Sequence, residues 1–91
     1  SLAAPTALPY SYQLCASTLS RIVRVTDDEI RRGMRMIQQE LGLAVEPACA
    51  AAAAACLGPL AHTLPGRRLG LLLCGSNIEP QRFRELTQSR T

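Results

Sequence analysis

Apolar residues recur at helical spacing in the middle of the chain, with polar residues between them. Four apolar residues at positions i, i+4, i+7 and i+11 form one stripe: Ile30, Met34, Ile37 and Leu41. Such a stripe predicts a helix with one buried face. Before it, Thr26 is followed three residues later by Glu29, the spacing of a capping box. Gly42 favours a helix end just after the stripe.

A second helix is predicted by composition rather than by periodicity. Alanine fills most of the stretch from Ala48 to Ala55, and alanine has the highest helix propensity. Pro47 suits the first helical position, and Gly58-Pro59 ends the pattern. Because these side chains are small, we expect this helix to approach a neighbour closely. It is too short to span a membrane, which takes about 20 apolar residues.

Two segments predict strands, and two more predict helices. Arg21–Thr26 alternates in part and contains β-branched residues, which is typical of a short strand. Leu69–Leu73 has no polar residue and predicts a strand buried on both faces, as in a parallel sheet. Weak periodicity indicates a short helix at Tyr10–Ser20. A last helix is predicted from Pro80 to about Ser89, with Phe83 and Leu86 on its inner side.

Length and charge limit the possible classes of protein. Ninety-one residues allow one domain at most, with a thin core. The 47% hydrophobic content with 19% charged residues indicates a globular chain. A net charge of +3 is too mild, and aromatic residues are too few, for a nucleic-acid surface. We expect neither a nucleic acid nor a membrane as partner.

Lysine is absent, and this restricts the chemistry of the chain. All ten basic residues are arginines, so no lysine of this chain forms a Schiff base with a carbonyl compound. The four cysteines include no CxxC pair, and one histidine completes no zinc motif. No signal-peptide pattern is present. We therefore expect a cytoplasmic protein without a metal site, in which three of the reduced thiols pack as small hydrophobic groups.

Cys74 and Glu46 are the candidate site residues. Cys74 ends the apolar run, and ligands in α/β proteins lie beyond the carboxyl ends of strands. Ser76 and Asn77 are suited to hold the turn that follows. Spacing alone nevertheless favours a buried thiol at Cys74. Glu46 precedes a helix, where an acid is stabilised by the helix dipole, and that interpretation is favoured over a carboxylate aimed into a site.

Three segments taken together resemble a known family. They are Val25–Ile30, Gly42–Ala48 and Leu71–Ile78, in this order. The set is similar to the carboxy-terminal part of the pyridoxal-phosphate enzymes that include threonine dehydratase, serine dehydratase and serine racemase. These enzymes carry a V-(S/T)-(D/E)-(D/E)-E-I helix start, a G-x-x-V-E-P segment and a terminal (S/C)-G-G-N-(I/V). The resemblance covers about residues 21–86 of the chain.

The resemblance implies a fold and a set of cofactor-binding residues. The fold is α/β, of fold type II (tryptophan synthase beta-like), with helices packed on parallel strands. By the family pattern, Cys74 hydrogen-bonds the pyridine nitrogen of pyridoxal 5'-phosphate, and Glu46 lies close to the ring. Gly75, Ser76 and Asn77 form the supporting turn. Ser76 replaces the second glycine of the common motif, so this turn accepts a Cβ at that position.

The family's Schiff-base lysine, phosphate loop, substrate-carboxylate loop and metal ligands precede the segments matched here. The resemblance therefore implies that residues 1–91 form one partial domain, with no catalytic residue and no metal ligand of its own. It is completed by another chain or by a missing amino-terminal part that carries the lysine and the phosphate loop. We expect the complete unit to dimerise and to bind a small amino-acid substrate.

The implied reaction is dehydration and deamination of a β-hydroxy amino acid, threonine or serine, to a 2-oxo acid and ammonia. Two alternatives within the family stay open, a racemase and an ammonia-lyase acting on a 3-hydroxyaspartate-type substrate. A third alternative is of another class, a non-catalytic α/β interaction module. Cofactor binding separates this module from the enzymes.

Overall fold

The computed structural model describes residues 5–76 and 78–88. Within these ranges the chain forms four α-helices and one 3-10 turn. They are α1 (Pro9–Thr18), α2 (Asp27–Leu41), α3 (Pro47–Leu57), the 3-10 turn Ala61–Thr63, and α4 (Pro80–Gln88). Each predicted helix is present, although α1 begins one residue earlier and ends two residues earlier than expected. Ser89, where the last helix was predicted to end, lies outside the described residues.

Local signals set both ends of α2, as predicted. The Thr26 hydroxyl accepts a hydrogen bond from the Glu29 N–H at 3.1 Å, and the Glu29 carboxylate accepts one from the Thr26 N–H at 2.7 Å. This reciprocal pair is a complete capping box. At the other end Gly42 has a φ of 70°, a left-handed conformation that glycine adopts without steric cost.

The core lies between α2 and α3. The buried hydrophobic residues of the described chain are Ile30, Met34, Ile37, Val45, Cys49, Ala50, Ala53, Ala54 and Phe83. At the crossing, a Cβ added to Gly33 would lie 3.0 Å from the Ala50 carbonyl oxygen and 3.2 Å from the Ala54 nitrogen. The two helices therefore meet at backbone contact, which confirms the predicted close approach of the alanine-rich helix.

The helix α4 completes this small core. Phe83 is buried and Leu86 is half-buried, as predicted. The Arg35 guanidinium donates a hydrogen bond to the Thr87 carbonyl oxygen at 2.8 Å, so α2 also holds the far end of α4. The prediction of a buried stripe was wrong for one residue, since Leu41 is 59% exposed. It occupies the last turn of α2, where no described residue covers it.

The two predicted strands do not form, and no strand is present in the described part of the chain. A strand exists only when its backbone pairs with a neighbour, and Arg21–Thr26 and Leu69–Leu73 find none here. Leu73 is half-buried against the core, whereas Leu72 is 80% exposed. The expected burial on both faces of this segment was wrong for the chain by itself. The described fold is helical, and packing of helices on parallel strands is not seen in it.

The helix α1 stands apart from the core. It buries no residue and packs against no other described helix, and its Tyr10 ring is 77% exposed. Cys15, on this helix, is exposed, which corrects the expectation that three thiols pack internally. Cys49 is buried and Cys56 is half-buried. None of the described helices combines the length and apolar character needed to cross a membrane.

Candidate functional site

A backbone hydrogen bond joins the two candidate segments. The Glu46 N–H donates to the Gly75 carbonyl oxygen at 2.9 Å. Glu46 is the residue immediately before α3, and Gly75 follows Cys74 in the turn after the apolar run. Two motifs far apart in the sequence therefore meet at the amino-terminal end of α3.

Gly75 is the residue that permits this approach. Its φ of 125° lies where side chains are rarely tolerated. A Cβ at this position would lie 3.1 Å from Glu46 Oε1 and 3.2 Å from both Cδ and Cγ. The Glu46 side chain is thus placed directly over the Gly75 α-carbon, in the space that any other residue would fill.

The Glu46 side chain does not cap its own helix. It makes no capping hydrogen bond to α3, although its position at the helix start keeps the carboxylate near the positive end of the helix dipole. The residue is half-buried. Glu46 therefore lies at a helix start, and its side chain approaches Gly75 of the candidate turn; a role of the carboxylate in a site stays a prediction.

The thiol of Cys74 is exposed and unpaired. Spacing alone had favoured a buried thiol at the strand end, and that interpretation was wrong. The preceding Leu73 packs partly against the core, so the chain reaches the surface between these two residues. The thiol is accessible beside the Glu46–Gly75 contact.

Backbone bonding closes the rest of the turn. The Ile78 N–H donates to the Ser76 carbonyl oxygen at 3.1 Å. Ser76 is exposed, and no hydrogen bond of its hydroxyl to a described residue is found; its part in holding the turn stays a prediction. Asn77, the other residue predicted to hold the turn, lies outside the described residues.

The structure also contains a cleft that the sequence did not predict. A cleft of about 230 Å³ lies where α2, the start of α3 and α4 meet. Arg31 and Arg82 line it together with Met34 and Leu86. The only sequence signal was the run of arginines on α2, which is equally typical of a solvated helix face. This cleft and the Cys74 turn have no lining residue in common.

Comparisons with known proteins bear on the turn and its neighbours. A family model described as pyridoxal-phosphate dependent enzyme matches residues 1–75, a range that includes Glu46, Cys74 and Gly75. A phenylserine dehydratase from Ralstonia pickettii is 49% identical to the chain over 83 residues. This match covers 91% of the chain but 26% of that relative's length. No solved structure matches the chain.

Proposed function

Because this chain belongs to the family of pyridoxal-phosphate dependent enzymes, we propose that it forms the pyridine-facing side of a cofactor site. The complete enzyme, in this proposal, dehydrates and deaminates a β-hydroxy amino acid to a 2-oxo acid and ammonia. The observation that carries the proposal is the bond from the Glu46 N–H to the Gly75 carbonyl. It brings the two family motifs to one surface, next to an exposed thiol.

The residues present fit one edge of the cofactor. Cys74 offers a neutral hydrogen-bonding atom, and the Gly75 α-carbon leaves the turn without a side chain where the Glu46 side chain approaches. When bound, pyridoxal phosphate supplies an electron sink for negative charge at the substrate α-carbon. A neutral thiol at the pyridine nitrogen does not enforce protonation there, as a carboxylate would. This milder setting suits elimination of a β-hydroxyl group.

The lysine and the phosphate loop must come from elsewhere. The chain has no lysine, and covalent attachment of the cofactor and proton transfer at the α-carbon need such a group. The chain spans about a quarter (26%) of the length of the relative that it matches. We therefore propose a complementary polypeptide part that supplies the lysine and the phosphate loop. We also propose that the enzyme is cytoplasmic and that its complete unit dimerises.

Exposed apolar surface supports this complement. Contiguous exposed apolar surface is unusual in a monomeric protein and is typical of an interface. The exposed large hydrophobic residues outside the core are Leu8, Tyr10, Tyr12, Leu14, Leu19, Ile22, Leu41, Leu43, Leu69, Leu71 and Leu72. Most of them belong to α1 and its flanks or to the Leu69–Leu73 segment. We propose that the complement covers α1 and pairs with Leu69–Leu73, which then becomes a strand.

The substrate is a β-hydroxy amino acid, for which threonine and serine are our first candidates. The similar protein from Ralstonia pickettii is named for phenylserine, so an aromatic β-hydroxy amino acid is added to the candidates. The test is 2-oxo acid formation by the assembled enzyme with serine, threonine, phenylserine and 3-hydroxyaspartate. We expect at least one of them to be converted. Interconversion of enantiomers without 2-oxo acid would favour the racemase, and no cofactor binding would favour the interaction module.

Substitution of Cys74 tests its proposed role at the pyridine nitrogen. We expect Cys74→Ser to retain kcat/KM within about threefold, because serine keeps a neutral hydrogen-bonding atom. Cys74→Ala removes it and is expected to lower kcat/KM about tenfold, the worth of one hydrogen bond. The matched control is Cys56→Ala, half-buried at the end of α3. Equal activity of Cys74→Ala and the wild type would contradict the assignment.

A further inference from the structure

We propose that Glu46 is a positioning residue, which holds the Cys74–Ser76 turn through its contact with Gly75 and does not itself bind the cofactor. This inference rests on the proposed function only where the cofactor is concerned. It assigns to Glu46 a mechanical role in which the shape of the side chain, rather than its charge, is what matters.

Two contacts join Glu46 to Gly75. The Glu46 N–H is bonded to the Gly75 carbonyl oxygen at 2.9 Å. The Glu46 side chain also reaches across the Gly75 α-carbon, where Cγ, Cδ and Oε1 come within 3.2 Å of an added Cβ. Backbone and side chain of one residue therefore hold the same glycine from two directions.

Glu46 is itself firmly held. Val45, before it, is buried in the core at 2% exposure, and Pro47, after it, begins α3 with a fixed φ. The turn is anchored at its flanks, where Leu73 and Ile78 pack partly against the core, but Cys74 and Ser76 within it are exposed. A rigid residue that contacts an exposed turn sets the position of that turn.

The Glu46 carboxylate has no partner in this contact. It accepts no hydrogen bond from the N–H groups of α3, and no ion pair of Glu46 is found within residues 5–76 and 78–88. An unpaired charge adds little to this contact, whereas the methylene and carboxyl carbons supply the packing. Glutamine keeps that shape, and alanine removes Cγ, Cδ and Oε1, the three atoms nearest to an added Cβ at Gly75.

Hydrogen exchange of the Glu46 amide measures this contact directly, in the protein as isolated with any chain that co-purifies. We expect Glu46→Ala to accelerate exchange of this amide about tenfold, because loss of the packing lets the turn open locally. Glu46→Gln is expected to leave the rate within about twofold of wild type. The Gly42 amide, bonded to the Gln38 carbonyl, should be unchanged in both variants, which excludes global unfolding as the cause. Glu40→Ala, exposed on α2, is the matched control.

Coupling between the two residues provides a second measurement. Gly75→Ala places a Cβ against the Glu46 side chain and is expected to accelerate exchange of the same amide. In the double variant Glu46→Ala/Gly75→Ala the new Cβ no longer meets Cγ, Cδ and Oε1 of residue 46. If the two substitutions acted independently, their effects on the exchange rate of this amide would multiply. We expect the rate in the double variant to be about fivefold lower than that product.

Cofactor affinity then distinguishes positioning from direct binding. We expect Glu46→Ala to weaken the affinity for pyridoxal phosphate about tenfold. Glu46→Gln is expected to keep the wild-type affinity. Three results would each overturn the inference. They are an unchanged exchange rate of the residue-46 amide in Glu46→Ala, additive effects on that rate in the double variant, and an equal loss of cofactor affinity in both Glu46 variants. If the exchange results hold but the wild type binds no cofactor, the positioning role stands and the proposed function fails.

Discussion

Gly75→Val is expected to lower the affinity of the assembled enzyme for pyridoxal phosphate by about 100-fold or more. Valine is strongly disfavoured at the φ of 125° that Gly75 adopts, at a cost of about 1–3 kcal/mol. Its Cβ would also press on Glu46 Oε1 at 3.1 Å. The turn must shift to relieve both, and a combined cost of about 3 kcal/mol corresponds to about 100-fold in affinity. Equilibrium titration of the cofactor, followed by absorbance, gives the affinity.

The control for this change is Gly66→Val. Gly66 also has a positive φ, of 82°, but an added Cβ there meets nothing within 4 Å. Valine at position 66 is therefore disfavoured by its backbone conformation, but it contacts no site residue. We expect Gly66→Val to reduce stability and to leave cofactor affinity within about twofold of wild type. An equal loss of affinity in both variants would mean that general strain, and not the Glu46–Gly75 contact, controls the site.

Gly33→Val is expected to have the largest effect on stability, about 3 kcal/mol. Valine gains little helix propensity over glycine, but its side chain would meet the Ala50 carbonyl oxygen at 3.0 Å and the Ala54 nitrogen at 3.2 Å. Both are backbone atoms of α3, so the two helices must move apart. Overpacking of a close-packed contact costs about 1–3 kcal/mol. The free energy of unfolding in urea, measured on the protein as isolated, tests this value.

Gln39→Val is the matched control for Gly33→Val. Gln39 is exposed on the same helix, so a β-branched side chain there meets solvent rather than α3. We expect a change in the free energy of unfolding of less than about 0.5 kcal/mol. If Gly33→Val unfolds at the same urea concentration as Gln39→Val, the close contact of α2 with α3 is not what holds this core together.

Local signals in the sequence predicted the parts of the fold that depend on local chemistry. The Thr26–Glu29 capping box and the left-handed Gly42 act within a few residues of the helix ends that they define. Pro47 likewise needs no distant partner to begin α3. These features follow from the backbone groups left unpaired at helix termini, so neighbouring residues suffice to predict them.

Features that need a distant partner were not predictable in the same way. Leu69–Leu73 has the composition of a buried strand, but a strand also requires a paired neighbour, which the described chain does not supply. The helix α1 is equally exposed, and no other described helix packs against it. The resemblance implied that Glu46 and the Cys74 turn lie near one cofactor, whereas spacing alone favoured unrelated roles for both segments. The direct bond between Glu46 and Gly75 was not predicted.

We propose that this chain supplies one side of a pyridoxal-phosphate site that another polypeptide part completes. The most direct measurement is the absorbance of bound cofactor after pyridoxal phosphate is added to the chain alone and to the chain assembled with its complement. We predict a bound-cofactor band in the assembly, weakened by Gly75→Val, and none with the chain alone, which has no lysine. An assembly that binds no cofactor would contradict the claim.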